Sequence, residues 1–233
     1  PVGRRSKPQA PRIKAEALAR SIPVLQPEDV RHESEISAIA ALDPELIVVM
    51  AYGQILTKAL LAVPSRGCFN IHASLLPRHR GASCIQAAIA AGDRESGISI
   101  IKMVERLDAG DVVMTERIGL SADETGGSLH DRLGEMAPEL TMMCIEKLAA
   151  NTLTGEPQDH ELATYAPQLQ RLDGQIDWRL PAEVLERRIR AYEPWPGSYT
   201  HFKDGRGRPR RLKIFADVSV SRDVRGVAPG EVL

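Results

Sequence analysis

The run Leu46-Ile47-Val48-Val49-Met50, bounded by Pro44 and Gly53, constrains this chain more than any other stretch. An unbroken apolar run leaves no polar face. Side chains in a strand alternate between faces, so the run predicts a parallel strand covered on both sides. Helical patterns flank it. Glu33 to Ala41 places Ile36, Ile39 and Ala40 on one stripe. Thr57 to Ala62 reads as a short helix and Gly67 to His72 as the next strand. Alternating helices and strands predict an α/β layer with right-handed crossovers.

The same reading extends along the chain. Pro1 to Pro11 is a loop by its prolines and cations, Ile13 to Arg20 a helix, and Ile22 to Leu25 a brief strand. Ala82 to Ala91 is helical, with Gly92 as a left-handed stop. Ile98 to Val104 and Val112 to Ile118 read as paired strands around Asp108-Ala109-Gly110-Asp111. Leu129, Leu133, Met136, Leu140 and Met143 keep helical spacing in a long amphipathic helix from Leu129 to Leu148. Thr154 to Asp159 is a linker by composition. A short helix (Ala182 to Ala191), the bend Pro194-Trp195-Pro196-Gly197, and strand-like pieces at Tyr199 to Phe202 and Leu212 to Val220 follow. They predict a small β-rich module. The chain opens on Pro1 in a polar, basic stretch, which reads as a fragment.

A length of 233 residues leaves room for one α/β domain and a smaller unit. The formal net charge of -1 gives no global field for a polyanion. Any nucleic-acid site must come from local clusters. These are Arg4, Arg5, Lys7, Arg12 and Lys14; Arg78 and Arg80; Arg187, Arg188 and Arg190; and Arg206, Arg208, Arg210, Arg211 and Lys213. Solvated faces look the same, and the third cluster alone reads as one. Cys68, Cys84 and Cys144 are odd in number and far apart, which predicts a reducing compartment and no disulfide framework. Metal-ligand spacing is absent. No apolar run approaches the roughly 18 residues that span a bilayer. A cytoplasmic monomer without a membrane partner is expected.

The chemistry concentrates in Asn70-Ile71-His72-Ala73-Ser74-Leu75-Leu76-Pro77. Alternation points Asn70 and His72 the same way and Ile71 into packing. An amide and an imidazole at the carboxyl end of a parallel strand lie where open α/β sheets bind ligands. Both can donate to one developing oxyanion. Each alone reads equally as a turn-starting Asn and a structural His. Asp108 alone reads as turn chemistry; it matters if the fold brings it to His72, where it would favour the imidazolium. Ser74 is not a nucleophile candidate, because the chain has no G-x-S-x-G elbow. Walker and G-x-G-x-x-G fingerprints are missing too, which weighs against a dinucleotide-binding domain.

Asn70-x-His72, Ser74-Leu75-Leu76-Pro77, Arg80-Gly81 and Leu107-Asp108-Ala109-Gly110-Asp111 together resemble the folate-dependent formyltransferases. Those enzymes pass a formyl group from 10-formyltetrahydrofolate to an amine. Pro1-Val2-Gly3-Arg4-Arg5 with Lys7 looks like the basic loop of the methionyl-tRNA formyltransferases, although Arg5 stands where that loop usually has a small residue. Ile176-Asp177-Trp178, Ile189-Arg190-Ala191 and Pro194-Trp195-Pro196-Gly197 resemble the start of that group's C-terminal domain. The resemblance implies a Rossmann-like formyltransferase domain with a mostly parallel sheet over residues 1–153. A linker (154–172) and part of an OB-like β-barrel (173–233) follow. It also implies that the family's first strand and helix, and the end of the barrel, lie outside this chain.

By resemblance, Asn70, His72 and Asp108 form the catalytic set. Ser74, Leu75, Leu76 and Pro77 contact folate, and Tyr52, Gly53, Gln54, Ile55 and Leu56 line the pterin pocket. Arg4, Arg5, Lys7, Arg78 and Arg80 meet tRNA. The implied partners are 10-formyltetrahydrofolate as co-substrate and initiator methionyl-tRNA, with no metal. The alternatives are an amino-sugar formyltransferase, which shares part of the C-terminal signature but not the basic loop, and a non-catalytic folate-binding module.

Overall fold

The computed structural model describes residues 10–221. The chain opens with α1 (Arg12–Ala19) and α2 (Glu33–Ala40), then β1 (Ile47–Val49), α3 (Lys58–Leu61) and β2 (Cys68–His72). Next come α4 (Cys84–Ala91), β3 (Glu95–Lys102), β4 (Val112–Gly119) and the long α5 (Gly126–Ala149). After a mostly irregular stretch, α6 (Ala182–Ala191) leads to β5 (Ser198–Lys203) and β6 (Pro209–Ile214).

The four-stranded sheet has the order β1-β2-β3-β4. Its first pair is parallel and the other two are antiparallel. The sheet is therefore mixed, not mostly parallel. The reason lies after α4. Gly92 takes the left-handed conformation (φ 77) and only Asp93 and Arg94 precede β3. The chain re-enters the sheet from the end at which β2 left it. β3 and β4 then pair as neighbours, as their spacing predicts.

Two other expectations fail. Ile22 to Leu25 forms no strand. β1 is the edge of the described sheet, and Val48 is 40% exposed, so the apolar run is not covered on both faces. Its alternate residues Ile47 and Val49 do face a core.

That core is one of two among the described residues, and β2 divides them. Phe69 joins Ile98, Ile100, Leu129, Leu133 and Leu140 in the cluster between the sheet and α5. Cys68 points the other way and packs with Val30, Leu56 and Leu60. The helix α5 begins three residues before the apolar stripe does. Thr125 Oγ1 accepts from the Ser128 amide at 3.1 Å, and Ser128 Oγ accepts from the Thr125 amide at 3.0 Å. Such a reciprocal cap contributes about 1 kcal/mol.

The 154–172 stretch is not a free tether. Glu156 exchanges backbone hydrogen bonds with Val112 (2.9 Å each way). Arg80 donates to the Thr164 carbonyl (2.8 Å) and accepts from the Ala166 amide (2.7 Å). Beyond it, α6 packs chiefly against α4 and also touches α5. Arg190 is bonded to the Glu124 carbonyl (2.7 Å) and ion-paired to Glu186, and Arg187 reaches the Ala90 carbonyl. Arg187 and Arg190 are thus tied into the fold, in place of the solvated face expected for that cluster. The strands β5 and β6 form a two-stranded antiparallel hairpin. The described residues contain no closed barrel. β6 starts earlier than its sequence suggests because Gly207 (φ 72) closes the turn at Asp204 and pairs Lys203 with Pro209.

Candidate active site

The parallel pairing of Val49 with Asn70 puts the 50–56 segment and the 73–82 loop at the carboxyl ends of neighbouring strands. Alternation along β2 sends Phe69 and Ile71 to the large core, and Cys68, Asn70 and His72 to the opposite face. Leu56 packs beneath Cys68 on that face.

The connection from β3 to β4 returns Asp108 to the same place. Its Oδ1 accepts from Asn70 Nδ2 at 3.2 Å. Its Oδ2 accepts from the Gly81 amide at 2.8 Å and lies 3.6 Å from His72 Nδ1. Both side chains of the His72–Asp108 pair are under one-tenth exposed. The three residues singled out from the sequence thus meet at one carboxylate. The backbone is shaped for it. Asp108 holds φ 47, a left-handed conformation uncommon outside glycine. At Gly81 (φ 104), an added Cβ would sit 2.6 Å from the Ala166 carbonyl oxygen.

The imidazole of His72 is fixed at both ends. Nε2 lies 2.9 Å from the His79 carbonyl oxygen, which can only accept, so Nε2 carries a proton. Nδ1 is left facing Asp108. Burial by itself would push the ring's pKa down. The neighbouring Cys84 side chain, then the Asp108 charge, then the His79 carbonyl outweigh it, and the value rises from 6.5 to about 9. A raised value favours the imidazolium, which presents an Nδ1–H donor. Cys84, on the first turn of α4, carried no sequence signal for this role.

The other candidate residues are placed as follows. Ser74 is fully buried, and its hydroxyl donates to the Arg78 carbonyl at 2.7 Å inside its own loop. Its hydroxyl is therefore committed to its own loop. Leu75, Leu76 and Pro77 are half-buried. Tyr52, Gly53 and Ile55 are exposed, and Leu56 is core. The Gln54 side chain is engaged by the Val30 amide (2.8 Å) and the Glu28 carbonyl (3.2 Å), leaving its backbone for a ligand.

Among the cations, Arg78 is half-exposed and paired with Asp93 at 2.7 Å. Arg80 is 0% exposed. Its guanidinium turns inward to Gln158 and His160, so it is not available to a phosphate at the surface. Arg4, Arg5 and Lys7 lie outside the described residues. On the β5–β6 hairpin, Arg208 and Arg210 share Asp204, and Arg211 lies 3.5 Å over the Tyr199 ring.

The site brings two donors to one carboxylate, an arrangement that can serve acyl transfer. Among the described residues no group of three or more His, Cys, Asp or Glu could hold a metal ion, and no helix is long and apolar enough to cross a membrane.

Comparisons with known proteins agree with that chemistry. The family model "Formyl transferase" matches residues 2–145, and "Formyl transferase, C-terminal domain" matches residues 168–233. The methionyl-tRNA formyltransferase of Akkermansia muciniphila is 48% identical over 233 residues, covering 100% of this chain and 74% of the relative. That of Pseudomonas fluorescens is 46% identical, covering 100% and 70%. Among solved structures, a sugar N-formyltransferase from Shewanella sp. FDAARGOS_354 superposes with a TM-score of 0.70 at 17% identity, covering 88% of this chain and 82% of that one. HypX from Aquifex aeolicus in complex with tetrahydrofolic acid gives 0.66 at 20% identity, covering 85% and 33%. These two share the fold; the relatives near half identity share the sequence along its whole length. The chain belongs to the formyl transferase family, in its methionyl-tRNA formyltransferase branch.

Proposed function

We propose that this protein transfers a formyl group from 10-formyltetrahydrofolate to the α-amine of methionine carried on initiator tRNA. The convergence of Asn70 and His72 on the Asp108 carboxylate carries this reading. Near-half identity to methionyl-tRNA formyltransferases along the whole chain selects the acceptor.

The α-amine attacks the formyl carbon on N10 of the folate. A C–N bond forms, the carbonyl oxygen takes up negative charge, and the C–N10 bond then breaks. The second amide hydrogen of Asn70 and the Nδ1–H of His72 stabilise that oxygen. One such donor contributes about 3 kcal/mol to the transition state. Asp108 keeps His72 charged and passes the amine proton toward the departing N10. The folate brings an activated formyl group. Half-buried Leu75, Leu76 and Pro77 and the backbone of 52–56 flank the site on the Asn70 face and offer apolar and amide contacts to a pterin.

The amino-sugar alternative is tested by offering charged initiator tRNA and a nucleotide-linked amino sugar side by side with 10-formyltetrahydrofolate. Transfer to methionine on the tRNA is expected. Transfer to the sugar alone would replace this reading.

A further inference from the structure

Gln158 sits in the stretch that reads as linker, yet it is only 9% exposed. Its carboxamide is used at both ends. Oε1 accepts from Arg80 Nε at 3.1 Å and Nη2 at 2.6 Å. Nε2 donates to the Asp108 carbonyl at 2.8 Å and the Gly110 carbonyl at 2.7 Å. A guanidinium only donates and carbonyls only accept, so this orientation of the amide is forced.

Arg80 is fully buried, with no carboxylate in ion-pair range among the described residues, and its Nη1 has no partner there. Gln158 is its main acceptor, with His160 Nδ1 at 2.9 Å as a second. A cation held against Oε1 polarises the amide and strengthens the two N–H donors at its far end. Those donors grip both sides of Ala109, directly beneath the left-handed Asp108. Such a backbone conformation persists where its surroundings over-determine it. The Glu156–Val112 backbone bonds fix the depth at which Gln158 enters.

We infer that Gln158 is a positioning residue for formyl transfer: backed by Arg80, its carboxamide clamps the 108–110 loop and holds the Asp108 carboxylate on His72, Asn70 and the Gly81 amide. This rests on the role proposed for Asp108. The inference goes beyond the three converging side chains, because it gives part of the interdomain stretch a task in the chemistry.

The test follows the His72 ring by NMR titration of the full chain, alongside formyl-transfer kinetics. Gln158→Met keeps length and neutrality but removes both halves of the clamp. In the unsubstituted protein the ring is expected to titrate at about 9. In Gln158→Met the midpoint falls by about one pH unit or more as Asp108 drifts from the ring. kcat falls about tenfold or more, while KM for 10-formyltetrahydrofolate stays within about twofold. If that variant does not fold, Gln158→Asn draws the amide back by one methylene and shows the same change in smaller measure. His160→Ala removes Arg80's other acceptor without touching the 108–110 loop and leaves the midpoint in place. An unchanged midpoint in both Gln158 variants, or an equal shift in His160→Ala, overturns the inference. A shifted midpoint in a protein that transfers no formyl group would sink the proposed function and leave the clamp standing.

Discussion

Asp108 Oδ2 lies 3.6 Å from His72 Nδ1 while accepting the Gly81 amide at 2.8 Å. One carboxylate oxygen therefore faces the ring and ties it to the loop after β2. Asp108→Asn keeps the shape and removes the charge. Turnover is expected to fall about a hundredfold or more. The high-pH limb of the rate profile is expected to move to lower pH, because the ring loses a partner that favours its proton. Steady-state rates across pH check this; a slower enzyme with an unmoved limb would divorce the two residues.

The raised value of His72 also sets the pH range of the unsubstituted protein. With the protonated ring as donor, kcat is expected to hold through neutrality and to decline as pH rises through about 9. Stability follows the same sign. A group that binds its proton more tightly when folded contributes fully below its unfolded value near 6.5, and loses that contribution as pH rises through about 9. Urea unfolding at pH 6 and pH 10, with and without His72→Gln, measures the difference. The two proteins are expected to respond differently to that change, and a parallel response would exclude the linkage.

Much of this site was legible before the coordinates, for a physical reason. Alternation along a strand is rigid, so Asn70 and His72 had to share a face. Turn composition gave the place of Asp108 in the chain, and the resemblance gave its meeting with His72. What was not legible depended on contacts distant in sequence. The inward turn of Arg80 needs Gln158, 78 residues away. The composition of 154–159 describes a loop and cannot say that the loop is docked. The mixed sheet is not legible because a reversal at Gly92 and a crossover look alike in one dimension. The start of α5 reads late because Thr125 and Ser128 are polar and lie outside the apolar period.

Gly81 couples the two halves of the site. Its φ of 104 and the Ala166 carbonyl oxygen 2.6 Å from any added Cβ leave no room for a side chain. Gly81→Ala is expected to lower stability by about 1–3 kcal/mol from backbone strain alone. It also lengthens the Gly81–Asp108 bond and lowers turnover. Chemical denaturation together with kcat checks both effects; normal values for both would show that the loop adapts freely.

Binding to tRNA should depend steeply on salt, since the charge that attracts it is local. We propose that the basic β5–β6 hairpin, where Arg206 is exposed, contributes to that attraction. Arg206→Ala is expected to reduce the slope of log affinity against log salt by about 1. It should leave KM for 10-formyltetrahydrofolate unchanged. Equilibrium binding across a salt series resolves this, and an identical slope would remove the hairpin from the interface.

The most direct measurement is transfer of labelled formyl from 10-formyltetrahydrofolate to methionyl initiator tRNA by Asn70→Ala, His72→Ala and Asp108→Ala, each under single-turnover conditions. A loss of about a hundredfold or more in every variant, with folate binding retained, is expected if three side chains act on one carbonyl. Near-normal rates in all three would contradict it.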